Sequence, residues 1–275
     1  MSREHRKSNG SAHRLVQFTD PHIGSRPDYQ LLGLDTGRTL DEVLRAIECE
    51  QPQAEMQVAT GDISANGSQA SYQRFLQKMQ RVKTPWYWLP GNHDEPARMR
   101  RAAPARSAEM IALGHWRLLL LDTSLENEIC GGLSESQLQR LQQLLHECRD
   151  HPVMVLMHHQ PVPVGSDWID GHMLREGGER LLQLVTGAPG IKALVWGHVH
   201  QQFDSRLQRP GLEDLGLHAT PSTSVQFTPG SGPFSVDDRL PGYRWFDLRD
   251  DGSYSTGVER VSVSEYSVDL ASGGY

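Results

Sequence analysis

The sequence has little of what would take it outside the ordinary globular proteins. Cysteine is scarce: Cys49, Cys130 and Cys148 are odd in number, scattered, and show no C-x-x-C spacing. That usage excludes a disulfide framework and fits structural thiols in a reducing compartment. Long apolar runs are missing. The most apolar stretch, Trp116 to Leu121, is interrupted by Arg117 and falls far short of the ~20 residues of a membrane span. Met1 to Arg14 is polar and basic without an apolar segment, which argues against a secretory signal. Excess positive charge is missing too, the net charge being -7. A nucleic-acid binder relying on a general basic surface is thereby excluded. An anionic substrate would have to be attracted locally, and a metal site is the direct means. Glycine (26) and proline (16) stay near ordinary usage, which excludes collagen-like and low-complexity chains. The expectation is a cytoplasmic protein with neither membrane nor nucleic acid as partner. No exposed apolar repeat demands a second copy, so a monomer is favoured.

What the chain does contain is an alternation of strand and helix patterns. Residues 15–19 read as a short strand stopped by Asp20-Pro21, and 56–60 as a second ending in Gly61-Asp62. Residues 86–89 form a third, followed by Pro90-Gly91-Asn92-His93-Asp94, and 116–121 a fourth, in a hairpin with its neighbours. The fully apolar runs 153–157 and 191–196 suit strands buried on both faces. Helical spacing of apolar residues marks 39–50, 71–82, 134–148 (with Ser134 as N-cap) and 180–185. Beyond His200 the pattern becomes short alternating runs between Gly and Pro turns, read as antiparallel strands. No internal repeat and no linker divides the chain. The expected architecture is one α/β domain over 14–263, with a flexible polar tail at 1–13 and a C-terminal tail at 264–275.

Histidine is the informative excess, with thirteen in the chain. Several sit where apolar strands end: Asp20 and His22, then Asp62, then Asn92 and His93, then His158 and His159, then His198 and His200. In open α/β sheets ligands bind beyond the carboxyl ends of the strands. Each piece has a plain alternative, since Asp20 suits a turn before Pro21 and Asn92 suits a left-handed turn. Their succession, each after an apolar strand, points instead to one metal centre. Imidazole suits Zn and Fe, while carboxylate and amide oxygens also suit Mn. One aspartate can bridge two cations. Two cations with only two carboxylates keep a net positive charge, which favours a phosphate ester.

The order Asp20-x-His22, Gly61-Asp62, Gly91-Asn92-His93-Asp94, His158, Gly197-His198-Val199-His200 resembles the calcineurin-like metallophosphoesterase superfamily. The match spans most of the chain and fills every metal-ligand position. Within the superfamily the sequence is most similar to bacterial class III 3',5'-cyclic AMP phosphodiesterases. Residues 31–36, 158–162, 219–227 (Ala-Thr-Pro-Ser-Thr-Ser-Val-Gln-Phe) and 241–245 carry that similarity. The resemblance implies an αββα sandwich and two divalent cations, Fe and Mn foremost with Zn and Co compatible. Asp20, His22 and His200 would hold the first cation, Asn92, His158 and His198 the second, and Asp62 would bridge them. His158 is preferred to His159 because it directly follows the strand. His93 would be the catalytic acid or oxyanion stabiliser. Substrate would be bound by His22, Asp62, Asn92, His93 and His200.

The implied reaction is hydrolysis of cyclic AMP to 5'-AMP by a metal-bound hydroxide. Another small phosphodiester, such as a glycerophosphodiester or a different cyclic nucleotide, is the alternative. A non-catalytic scaffold of the same fold should lack several ligands, and this chain keeps all seven. Residues 165–175, with Trp168, Asp170 and His172, resemble the superfamily's substrate-side loop. They depart from it after Leu174, at Arg175-Glu176-Gly177-Gly178, which bears on nucleotide preference rather than on the chemistry. Trp168 reads equally as a packing residue and as a surface for base stacking.

Overall fold

The computed structural model describes residues 12–274. The first half contains β1 (Ala12–Phe18), α1 (Thr36–Glu50), β2 (Ala54–Thr60), α2 (Gln69–Met79), β3 (Trp86–Leu89), α3 (Pro96–Ala102), β4 (Met110–Leu113), β5 (Trp116–Leu120), β6 (Gly131–Gly132) and α4 (Glu135–Glu147). The second contains β7 (Val153–Leu156), α5 (Asp167–Asp170), β8 (Leu174–Glu176), α6 (Gly178–Gly187), β9 (Ile191–Trp196), β10 (Phe203–Leu207), β11 (Leu215–Ala219), β12 (Gln226–Phe227), β13 (Val236–Asp237), β14 (Gly242–Arg249) and β15 (Tyr254–Arg260). Two main sheets result, ordered β15-β14-β1-β2-β3 and β10-β11-β9-β7-β5-β4.

The two-residue period of the strands decides the layering. On β7, Met154 and Leu156 face the space between the sheets, where they meet Leu15 of β1, Val58 of β2 and Phe246 of β14. Val153 and Val155 face the other way, onto Leu138, Leu141 and Leu144 of α4 and Leu181 and Val185 of α6. Val16 and Phe18 of β1 face α1 and α2 through Leu40, Val43, Tyr72 and Phe75. Helix, sheet, sheet and helix are thus stacked, the αββα arrangement expected. Caps fix where the helices begin. Asp35 accepts from Arg38 N, Ser68 from Ser71 N, and Ser134 with Gln137 forms a capping box. No described helix is long and apolar enough to cross a membrane.

The structure departs from the sequence reading in four places. Helix α3 was not expected, because Met99 is its one buried residue and leaves no period to detect. The C-terminal strands extend both sheets, and β11 runs parallel to β9 although Gly and Pro turns suggested antiparallel pairing. All five β11 residues are buried, as in a strand covered on both faces. At the N-terminus, residues 1–11 of the expected tail lie outside the described residues, and Ala12 and His13 already belong to β1. At the other end the segment read as a tail docks on the body. Tyr266 and Val268 pack on the core, and Asp269 N donates to Leu32 O.

A polar network ties the C-terminal strands of the two sheets together. Buried Arg244 of β14 donates to Ala219 O (2.9 Å) and pairs with Asp204 of β10 (2.9 Å). His218 Nδ1 donates to Asp204 (2.7 Å), and its Nε2 accepts from Tyr254 OH (2.7 Å). Burial alone would raise the Asp204 carboxyl, but His218 and Arg244 outweigh it and bring it down to about 2. A carboxylate depressed in the fold stabilises above its ordinary value of 3.8 and loses that contribution as the pH falls towards 2. Asp204→Asn should therefore flatten the acid limb of a Tm-versus-pH curve between those values. An unchanged limb would remove this network from acid unfolding.

Candidate metal centre

The turns that leave the strands carry unusual backbone. Asp20 (φ 54°), His22 (φ 44°), Asp62 (φ 48°), His198 (φ 62°) and His200 (φ 48°) all lie in the left-handed region, five of the eight such non-glycine residues described. Strain of this kind persists only where the surroundings over-determine it. Here Asp20 N donates to Gly61 O and His22 N to Asp62 O. Ser222 and Ser224 hydroxyls both donate to Asp20 O at 2.9 Å. Two glycines are required sterically. A Cβ on Gly61 (φ 98°) would run into the His158 ring, and one on Gly197 into Thr19 Oγ1 and Asp20.

These turns bring the candidate ligands into one buried cluster with two lobes. In the first, His200 Nε2 lies 3.3 Å from Asp20 Oδ1 and 3.2 Å from His22 Nε2. In the second, His158 Nε2 lies 3.2 Å from Asn92 Oδ1, with the His198 ring 5.0 Å from that of His158. Asp62 Oδ2 sits between them, 3.6 Å from His22 Nε2 and 3.4 Å from His158 Nε2. The sets Asp20/His22/His200, Asp20/Asp62/His158 and His158/His159/His198 each present donor atoms within 4.8 Å of one another.

Hydrogen bonds to carbonyls decide which ring nitrogen is turned towards the cluster. His158 Nδ1 lies 2.8 Å from Thr60 O and His200 Nδ1 2.8 Å from Val225 O. A carbonyl only accepts, so each Nδ1 carries a proton and Nε2 is the nitrogen turned to the cluster. His159 differs. Its Nε2 donates to Ile129 O (3.1 Å), and its Nδ1 accepts from Thr123 Oγ1 (2.8 Å). Both of its nitrogens are engaged. His158→Ala should therefore strip metal from the protein while His159→Ala retains it, as elemental analysis of the two would read. Metal loss in the second alone would reverse the assignment.

Electrostatics favour positive charge at the centre. Burial holds His22 and His159 down to about 3, and His198 well below its ordinary value, so these rings are neutral. Burial would lower His158 as well, but Asp62 and Asp20 outweigh it and raise it to about 9. Asp20 and Asp62 stay below their ordinary value although burial opposes it, because His200 and His158 face them. Two buried carboxylates kept ionised are what a cation at this cluster would require.

Next to the cluster, His93 N donates to Asp62 Oδ1 (2.9 Å), and its Nδ1 donates to Ala65 O (3.1 Å). The ring meets that of His22 edge-on at 4.9 Å. Asp94, quoted in the sequence motif without a role, organises the loops. Its carboxylate accepts from Ile63 N, Ser64 N and Gly91 N at 3.0 Å and from Tyr72 OH at 3.1 Å. Burial, helped by the charge of Asp62, raises it to about 6. Trp168 has packing partners: Phe227 (5.0 Å), Phe234 (4.8 Å) and His172 (5.7 Å). Phe227 in turn stacks on His200 at 4.2 Å, so this aromatic wall adjoins the first lobe.

Comparison with known proteins bears on the family and the fold. Residues 13–202 match the family model described as calcineurin-like phosphoesterase. The chain is 40% identical over 263 residues to the Pseudomonas aeruginosa protein named 3',5'-cyclic adenosine monophosphate phosphodiesterase CpdA, covering 95% of this chain and 94% of that one. It is 38% identical over 266 residues to the Escherichia coli (strain K12) protein of the same name, with 95% and 94% covered. Among solved structures, a dimetal phosphatase from Danio rerio superposes with a TM-score of 0.63 at 15% identity, over 92% of this chain and 99% of that one. Purple acid phosphatase from yellow lupin gives 0.68 at 15%, over 94% and 53%. These two similarities concern the fold alone. The family model and the relatives together establish that the chain belongs to the calcineurin-like phosphoesterase family.

Proposed function

We propose that the protein hydrolyses 3',5'-cyclic AMP to 5'-AMP at a centre of two divalent cations. The two-cation reading is carried by Asp62 Oδ2, which faces an imidazole nitrogen of each lobe, at 3.6 and 3.4 Å. The substrate is carried by the relatives named cyclic AMP phosphodiesterases, similar over 95% of the chain. The donors fit such ions, since His198 Nε2 is buried without a hydrogen-bond partner and Nε2 of both His158 and His200 faces the cluster, where a cation would displace the proton that Asp62 favours on His158. Asp20, His22 and His200 would hold one cation, Asn92, His158 and His198 the other, and Asp62 both. Fe and Mn suit this mixture of imidazole and oxygen, and Zn and Co are compatible. When bound, the cations lower the pKa of water and neutralise charge on the phosphoryl oxygens.

The chain's own groups supply the rest. His22, Asp62, Asn92, His93 and His200 surround the place of the phosphate. Opening the ring to 5'-AMP joins a water oxygen to phosphorus and breaks the bond from phosphorus to the 3'-oxygen, which needs a proton. His93, beside Asp62 and His22, would give it. The Nδ1 bond to Ala65 O fixes the ring, and as the imidazolium it would give up the proton on Nε2, ending as the neutral Nδ1–H tautomer. The three cysteines are free thiols, which supports a reducing, cytoplasmic setting. All candidate ligands come from one chain, so a monomer suffices.

The test is a panel of cyclic AMP, cyclic GMP and glycerophosphocholine, assayed with the purified protein loaded with each of the four metals. Cyclic AMP should give the highest kcat/KM with 5'-AMP as product. A faster glycerophosphodiester would move the chain to the alternative substrate class. No turnover with any metal would end the reading.

A further inference from the structure

The first lobe of the metal centre is braced by a segment from the far end of the chain. Residues 222–227 lie beyond 13–202, the part that matches the family model, and all of them are buried. The Asp20 carbonyl accepts from both Ser222 Oγ and Ser224 Oγ. A carbonyl oxygen has two lone pairs, so this one is fully used by the brace. Thr223 N donates to the preceding carbonyl, Thr19 O, at 3.0 Å. Three consecutive residues thus hold the chain where Asp20 takes its left-handed backbone (φ 54°). The same segment holds His200. Val225 O accepts from its Nδ1 (2.8 Å), Phe227 N donates to its carbonyl (3.3 Å), and the Phe227 ring lies against the imidazole at 4.2 Å and 5°.

The brace is fastened to the C-terminal strands. Gln226 Nε2 donates to Ser222 O (2.8 Å) and Ser224 O (3.2 Å). Gly242 N of β14 also donates to Ser222 O (3.1 Å), and Arg260 of β15 donates to Gln226 Oε1 (2.8 Å). Its reach is one-sided. Among the described residues, no hydrogen bond of 222–226 goes to Asn92, His158 or His198, and His158 is oriented by Thr60 O instead. Thr223 supplies an internal contrast, because its hydroxyl is as buried as those of the two serines but has no hydrogen-bond partner.

We propose that Ser222 and Ser224 are positioning residues for the first cation rather than the second. By holding the Asp20 carbonyl they fix the turn that aims the Asp20 carboxylate. Left-handed backbone is a minority state for a residue with a side chain. Without the hydroxyls, the metal-free chain spends less time with Asp20 in place. The affinity of the ion held by Asp20, His22 and His200 falls by that fraction. The inference rests on the two-cation reading above.

Equilibrium dialysis against stepped Mn(II), read by elemental analysis, tests it on four full-length proteins. These are the unaltered protein, Thr223→Val, Ser224→Ala and Ser222→Ala/Ser224→Ala. The first two should take up two Mn per chain with the same affinities. In the double variant one Mn should weaken by about 10–100-fold, the usual cost of losing an outer partner of a metal ligand. Ser224→Ala should fall between. It removes one of the two bonds to Asp20 O and leaves Ser222 Oγ to accept from Ser224 N (2.8 Å), so it carries the test if the double variant fails to fold. Anomalous diffraction from the double variant at limiting Mn should place the retained ion against His158 and His198. Unchanged affinities in both serine variants, equal weakening by Thr223→Val, or a retained ion on Asp20 and His200 would overturn this proposal and leave the two-cation reading standing. Fewer than two Mn on the unaltered protein would overturn both.

Discussion

Asp62→Ala is expected to leave well under two cations per chain and to reduce kcat/KM by more than about 10³-fold. Replacing a group that merely supports a ligand typically costs about 10–100-fold, and Asp62 is read as a ligand of both ions. Its Oδ2 faces His22 and His158, while its Oδ1 accepts from His93 N at 2.9 Å. Losing the side chain removes an anion that faces both lobes and releases the His93 loop together. Asp62→Asn separates the two effects, because an amide oxygen can still accept from His93 N but carries no charge. The alanine and asparagine variants should lose metal alike if the charge matters. Two cations and normal turnover in Asp62→Ala would remove this residue from the chemistry.

His93→Ala is expected to keep both cations and near-normal KM while kcat falls about 10²–10⁴-fold, or about 3–5 kcal/mol of barrier, the usual share of a general acid. Asn92→Ala, its neighbour, should instead lose metal affinity, since Asn92 Oδ1 lies 3.2 Å from His158 Nε2. Excess Mn should partly restore it. A leaving group of low pKa needs little protonation, so bis(p-nitrophenyl) phosphate should suffer less from His93→Ala than cyclic AMP does. If both substrates fall equally, or if a cation is lost, His93 is electrostatic or structural and the acid lies elsewhere.

Much of this was legible because it is local. Capped helices with apolar residues every three to four positions, and strands buried on both faces, announce themselves within a dozen residues. The candidate ligands were legible for the same reason, each following an apolar run. What escaped was either non-local or independent of side-chain type. The carbonyls of Thr60 and Val225, which orient His158 and His200, would be present whatever residues stood there. Asp94 shows its role only when the loops after β2 and β3 are side by side. The parallel pairing of β11 depends on which edge of the second sheet is left open. The docking of Tyr266, whose hydroxyl reaches Ser224 O, depends on a contact 42 residues away in sequence.

The position of β1 between β2 and β14 has a consequence for how the chain is made. Arg14 pairs with Ala54 on one side and with Asp247 on the other. At a ribosomal rate of about 5–20 residues per second, the second partner arrives roughly 10–50 s after the first strand is synthesised. Through that interval one edge of β1, with Leu15, Val16 and Phe18, has no neighbour, and such edges invite pairing with other chains. Ser222 and Ser224, which hold the Asp20 backbone, come equally late. A chain stopped after residue 202, where the family match ends, is expected to sediment with aggregates and to carry no metal. Soluble, metal-loaded material from that truncation would contradict this. Cation loading is then expected only after Ser222, Ser224 and β14 have been synthesised.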